Sequence, residues 1–361
     1  MKRRIFLKSL AGTALLAGSE VQAQAKRIIP TSPQNLSPPM QEASRWATGI
    51  DEADTSRLRI GIVATGGGAC NTLASHVGGF PGLTRMVAID TSESTLRQLP
   101  NATHILLRDN DLFPEHPLTA LELAEAARSV IAQVLARLDL VFILASLGGT
   151  VGSSIAPMIA RIASESGFPS VGAVILPFGW EGEAKLASAA NAASAMLQNG
   201  VMTLFPLDND EIANSFGPQI TPQSVFDVAS QNFDALYRGI VMPLVEPGII
   251  GIDLADVLYV LKQPGMSACG HAEARGPGAA ASACSQAIES PWLGRGRLNA
   301  ASHILVQIEG DETLTLTDFR AVCELVRLHC IEDAVVRVSF QTRDVPAGSC
   351  RVTLLATGVR V

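Results

Sequence analysis

Gly148-Gly149-Thr150-Val151-Gly152-Ser153-Ser154 stands between a nearly continuous apolar run, Asp139–Ala145, and a helical stretch, Ser154–Ser166. A strand buried on both faces requires such an apolar run. Glycine lets backbone approach a ligand closely, and a helix N-terminus offers unpaired N–H groups and a positive dipole end. Strand, glycine turn and helix start therefore form an anion-ready corner. The same order occurs earlier in the chain: Leu58–Val63 reads as a strand, Thr65-Gly66-Gly67-Gly68 as its turn, and Ala69–Val77 as a helix. Two such corners on one parallel sheet could surround a di- or triphosphate from two sides; at Gly66–Gly68 alone, a tight strand-to-helix turn is the alternative.

Outward from these corners, strands are expected at Arg85–Asp90, Thr103–Leu107, Ser170–Leu176 and Val201–Pro206, with helices over Leu118–Arg137 and Glu181–Gln198. Strands alternating with helices imply a parallel sheet covered on both faces. Pro222–Leu244 is a long helical stretch without a strand partner. Beyond it, Met266–Ala274 and His303–Ile308 alternate with helices near Ala279–Glu289 and Leu316–Leu328. The last two strand-like runs, Ala334–Phe340 and Arg351–Ala356, can pair antiparallel. The fold class is α/β: a parallel-sheet nucleotide-binding domain (57–221), a central helix and following loop (222–261), then a smaller α+β domain (262–361).

The 361 residues are 47% apolar and 17% charged, against a usual charged share of about 25%. That composition is opposite to the disordered signature. Net charge is −7, which argues against nucleic acid as a partner. The total hides a split: Lys2, Arg3, Arg4 and Lys8 against Glu20 give the first 25 residues +3, leaving −10 on the other 336. Met1–Ala25 reads as a targeting signal, with an apolar run too short to span a bilayer. Arg3-Arg4-Ile5-Phe6-Leu7-Lys8 resembles the twin-arginine export motif R-R-x-F-L-K. Resting on an anionic membrane surface is the alternative. Residues 26–56 carry Pro30, Pro33, Pro38 and Pro39 and read as a linker. Six cysteines show no C-x-x-C, and most of them are expected to be small buried hydrophobes.

Two common phosphate loops are excluded: the chain has no Gly-Lys pair, and a G-x-G-x-x-G pattern fails where Asn71 stands. Asp90, ending the second strand, stands where a dinucleotide fold keeps its ribose acid, so a nicotinamide-dependent oxidoreductase remains an alternative.

At Gly148–Ser154 the sequence resembles the tubulin/FtsZ family of GTPases, whose signature there is G-G-G-T-G-[ST]-G; Ala156-Pro157 matches the A-P that follows. Thr150, Val151 and Ser154 depart from that signature. Gly61-Ile-Val-Ala-Thr-Gly66-Gly67-Gly68-Ala-Cys-Asn71 is similar to the family's first glycine loop, with Asn71 at a guanine-contacting position. Pro177-Phe178-Gly-Trp-Glu181-Gly182 resembles its P-F-x-x-E-G. The resemblance implies GTP/GDP as ligand, held by Gly66, Gly67, Gly68, Gly148, Gly149, Thr150, Gly152 and Ser153. It further implies that Glu181 accepts bonds from the ribose, that Lys185 lies near the phosphates, that Asn209 contacts the base and that Phe226 stacks on it. Read from the residues alone, Glu181 is equally a helix-start carboxylate, Asn209 a turn former and Phe226 a core ring.

Pro247-Gly248-Ile-Ile-Gly251-Ile252-Asp253-Leu254-Ala255-Asp256 resembles the family's N-x-D-x-x-D loop, with Gly251 in place of the Asn. The resemblance implies that Asp253 and Asp256 enter the next subunit's site and polarise the attacking water. Helix capping by Asp253 is the alternative. A site shared in this way implies head-to-tail filaments. Ile105–His116, where the family carries another phosphate loop, has no glycine; Asp109 and Asp111 would repel a phosphate unless Mg²⁺ lay between them. A nucleotide-binding filament or scaffold without turnover is therefore the competing account. The chain stops at Gly358-Val-Arg-Val361, so no C-terminal adaptor-binding peptide is expected. The expected place is the cytoplasm, at the inner membrane through the N-terminus, with periplasmic export the alternative.

Overall fold

The computed structural model describes residues 58–107, 120–217, 219–246, 248–263, 265–294, 297–343 and 345–359. The targeting segment, the linker and most of the glycine-free stretch, with Asp109 and Asp111, lie outside them.

Strand β1 (Ile60–Thr65) is buried along its whole length. It is followed by α1 (Gly67–Ala74), β2 (Leu83–Asp90), the short α2 (Glu93–Leu96) and β3 (Thr103–Leu106). Next come α3 (Ala120–Leu135), β4 (Leu140–Ser146), α4 (Thr150–Ser166), β5 (Ser170–Leu176), α5 (Glu183–Gln198), β6 (Leu204–Asp208) and α6 (Asn209–Phe216). The six strands are parallel in the order β3-β2-β1-β4-β5-β6. Strand order therefore reverses between β1 and β4, and ligands of such sheets bind outside the strands' C-terminal ends at that point. Both glycine loops leave from there.

Alternation within the strands divides the core. Ile60, Ile62, Leu140, Phe142 and Leu144 face one layer, and Val63, Val141, Ile143 and Ala145 face the other, which α3, α4 and α5 cover. The first layer is filled by the long α7 (Pro222–Val245) through Phe233, Leu236, Tyr237 and Ile240. Its 24 residues run about 36 Å at 1.5 Å per residue. Thr221 caps its start, accepting from the Ser224 amide at 3.1 Å, and Pro222 takes the first turn. Leu305 and Leu355 of the second domain join this core, so α7 is buried between the two domains.

That domain comprises α8 (Leu254–Leu261), β7 (Ala268–Arg275), α9 (Ala279–Glu289), β8 (Ala301–Gly310), α10 (Leu316–His329), β9 (Val335–Thr342) and β10 (Ser349–Val359). Its sheet has the order β7-β10-β8-β9. The last two strands do not pair with each other. β9 lies parallel to β8, because α10 carries the chain back as a crossover, and β10 inserts between β7 and β8, antiparallel to both. All six cysteines are free, four of them buried. No helix among the described residues is long and apolar enough to cross a membrane.

Candidate functional site: two helix starts at the switch point

Gly66 is the N-cap residue of α1 and Gly149 that of α4, and neither first turn has a side-chain cap or an acidic residue. The first amides of each helix lack an intrahelical acceptor. Gly66 has φ 85°, a left-handed conformation suited to glycine, and a Cβ there would lie 3.3 Å from the Gly152 nitrogen. A Cβ at Gly152 would overlap the Ser146 carbonyl oxygen, so only glycine lets α4 start against β4. At Gly67 and Gly149 the corresponding space is open. Glycine is thus required where the loops meet each other, while space remains at the positions facing outward.

Helix α4 starts at Thr150, four residues before the expected Ser154, so Thr150, Val151, Gly152 and Ser153 form its first turn. The Ser153 hydroxyl braces the loop: it accepts from the Gly148 amide at 2.9 Å and from Ser188 Oγ at 3.3 Å. A Cβ on Gly148 would lie 3.1 Å from the Lys185 carbonyl, which brings the Glu181–Lys185 segment beside this loop. Gly179–Glu181 is a separate 3₁₀ turn, and α5 begins only at Glu183. Glu181 Oε2 accepts from Lys185 Nζ at 2.8 Å, and Oε1 from the Phe178 amide at 2.9 Å. Burial pushes the Glu181 carboxyl up, but the Lys185 ammonium and the Phe178 amide outweigh it, so it sits below the ordinary carboxylate value.

Asn209 opens α6 instead of lying in a loop, because Asp208 caps that helix, accepting from the Asp210 amide at 2.8 Å and the Glu211 amide at 3.4 Å. Burial raises Asp208 and Glu211 above ordinary carboxylates. Asp210 Oδ2 accepts from the Gly179 amide at 2.8 Å, tying α6 to the Glu181 turn. Phe226, one turn into α7, is half-buried and belongs to none of the buried clusters, so its ring is not core. Asn71 is half-buried on α1, whose end is joined to α7 by Gln223 Nε2 donating to Ser75 Oγ at 3.0 Å. Trp180, 79% exposed, stacks on Phe178 at 5.0 Å on the same rim, an exposed indole that no sequence pattern marked.

Asp253 and Asp256 are not joined to these loops. They follow the opposite end of α7, at the start of α8. Asp253 is the N-cap, accepting from the Asp256 amide at 2.7 Å, and Asp256 Oδ1 accepts from Arg337 Nε at 2.7 Å. Arg337 gave no signal in the sequence because its partner is 81 residues away. Asp90 accepts from the Ser92 amide at 2.8 Å and so holds a turn. Burial and the Asp90 charge push the Cys70 thiol up to about 12, which keeps it in the neutral thiol form beside the first loop. No cluster of three metal-ligating side chains occurs among the described residues.

A switch-point site with two uncapped helix starts, joined by one long helix to a mixed-sheet domain, defines a tubulin-like nucleotide-binding class. The Tubulin/FtsZ family, GTPase domain, matches residues 66–217, and the FtsZ family, C-terminal domain, matches residues 265–360. The chain belongs to the tubulin/FtsZ family. Cell division protein FtsZ of Coxiella burnetii is 28% identical over 315 residues, covering 86% of this chain and 81% of that protein. An empty FtsZ dimer of M. jannaschii is 26% identical with a TM-score of 0.73, covering 90% of this chain and 93% of that one. CetZ2 from Haloferax volcanii, a GTPγS-bound protofilament, shares the fold: TM-score 0.67 at 19% identity, with 84% and 93% covered. Membership in a GTPase family displaces the nicotinamide alternative.

Proposed function

We propose that this protein binds GTP at the two helix starts, assembles head to tail, and hydrolyses GTP where the Asp253–Asp256 segment of one subunit meets the nucleotide of the next. The observation that carries this reading is the pair of uncapped, carboxylate-free N-termini at the switch point, an electropositive cradle suited to a polyphosphate. The first-turn amides of α1 and α4 would bind the phosphates. Glu181 would orient the ribose, and Asn71, Asn209 and Phe226 would bind the base. Ser153 and Lys185 would shape the loop and offset phosphate charge. Asp253 and Asp256 would orient and polarise water, which a carboxylate does as a hydrogen-bond acceptor. They stand at the other end of α7, so a second copy supplies them. Such a heterologous contact propagates as a filament.

The cellular role in this reading is cell division or membrane remodelling on the cytoplasmic side, with residues 1–25 as a direct contact to anionic lipid. Liposome flotation that disappears on deleting Met1–Ala25 supports that contact; cleavage near Lys26 and export to the periplasm contradict it.

GTP-dependent sedimentation with phosphate release tests the whole reading. Polymer that forms with GTP and releases phosphate supports it. Persistent monomer without phosphate release overturns it. The departures at Thr150, Val151, Ser154 and Gly251 favour a second reading, a nucleotide-binding scaffold; polymer that retains unhydrolysed GTP would select it.

A further inference from the structure

The segment bearing Asp253 and Asp256 is gripped by one strand of the second domain. Ile250 forms an isolated antiparallel bridge with Phe340 of β9, the Phe340 amide donating to the Ile250 carbonyl at 2.9 Å and the Ile250 amide returning a bond at 3.3 Å. Gly248 permits this approach, since a Cβ there would lie 2.8 Å from the Phe340 carbonyl oxygen. Next along β9, Gln341 Nε2 donates to the Met242 and Glu246 carbonyls at 2.7 Å each. Both carbonyls lie at the C-terminal end of α7, where Met242 also accepts from the Glu246 amide at 3.1 Å, so Gln341 ties β9 to that helix end. Gln307 Nε2 donates to Gln341 Oε1 at 2.9 Å and fixes that amide. Arg337, on the same strand, reaches Asp256 Oδ1 at 2.7 Å, and its guanidinium lies 5.9 Å from the centre of the Tyr259 ring.

An ion pair this exposed, 40% for Arg337 and 36% for Asp256, adds little to stability. Its effect is orientational. A planar guanidinium held over a ring and bonded to one carboxylate oxygen restricts the aspartate to one rotamer. Asp256 Oδ2 receives no hydrogen bond within the described chain and remains available as an acceptor. We propose that Arg337 is a positioning residue for hydrolysis: bonded to Oδ1, it fixes Asp256 so that Oδ2 can take the attacking water at the neighbouring subunit's nucleotide. The inference rests on the reading that Asp256 acts on that water. It adds that β9 sets the geometry, so the second domain does more than complete the fold.

The test is steady-state GTP hydrolysis per sedimented subunit in the full-length protein, comparing wild type with Arg337→Ala and Arg337→Lys. Loss of orientation lowers kcat roughly 10- to 100-fold in the alanine variant, while KM for GTP, the sedimented fraction and the melting temperature stay near wild type. Lysine restores part of the rate, and added guanidinium ion restores part of it to the alanine variant. A merely structural role would shift melting or sedimentation and leave the rate per polymerised subunit unchanged. Should the alanine variant fail to sediment, Arg337→Gln carries the same comparison. Wild-type kcat in a variant that sediments normally overturns the proposal alone. A wild-type protein that releases no phosphate overturns the underlying reading, and this proposal with it.

Discussion

Helix α4 has Gly149 at its N-cap, with no side chain over its first amides, whereas α8 has Asp253, whose carboxylate is bonded to the Asp256 amide at 2.7 Å. Both starts carry the same unpaired N–H groups and the same positive dipole end. One is left open and free of negative charge; the other is closed by the chain's own carboxylates and held by Arg337. The open start suits an anion supplied from outside. The closed start presents acidic oxygens to whatever docks on it. In the proposed assembly, the closed start of one copy would meet the open start of the next.

The largest expected effect comes from closing the space on which the open start depends. Gly152→Ala places a methyl on the Ser146 carbonyl oxygen and should destabilise the fold by on the order of 3 kcal/mol, read by chemical denaturation. Gly149→Asp breaks the contrast more selectively. Gly149 has φ −87° and ψ 166°, which any N-cap residue adopts, so aspartate there would cap α4 as Asp253 caps α8. Thermal stability should rise by about 0.5 kcal/mol, while nucleotide affinity, measured by calorimetry, falls at least about 100-fold by charge repulsion. Gain of stability with loss of binding is the signature; unchanged affinity would remove the open start from the site.

At the closed start, Asp253→Asn keeps a capping oxygen and removes the charge. Stability should change by a few tenths of a kcal/mol, roughly, while turnover falls about 100-fold with binding intact. Asp253→Ala loses the cap as well and should cost about 1 kcal/mol. Equal turnover in all three proteins would leave capping as the only role of Asp253. The smallest effect concerns Glu181. Its folded value lies below the ordinary 4.5, so its pair with Lys185 contributes stability that is present above that pH and fades as pH falls through the folded value. Glu181→Gln should flatten the acid limb of a melting-temperature profile by about 0.5 kcal/mol or less.

Local chemistry made the first domain legible. Strands read as apolar runs because both faces are buried, and the glycine corners stood out because backbone must approach backbone there, as at Gly66 and Gly152. Element ends were less legible where a cap decided them: Asp208 converts an apparent loop at Asn209 into a helix, and the first turn of α4 takes in Thr150–Ser153. What depends on distant partners was not visible. The pairing of β9 with β8 follows from the α10 crossover, and Arg337 meets Asp256 across 81 positions. The two carboxylates could be named from a motif, but the strand that orients one of them could not.

If Asp253 and Asp256 act only on a neighbouring subunit's nucleotide, no single chain hydrolyses GTP by itself. Phosphate release per subunit, measured against protein concentration at saturating GTP, tests it most directly. Dilute protein should release almost none, with a steep rise at the concentration where sedimentable polymer appears. A rate per subunit that stays constant on dilution through that threshold would contradict it.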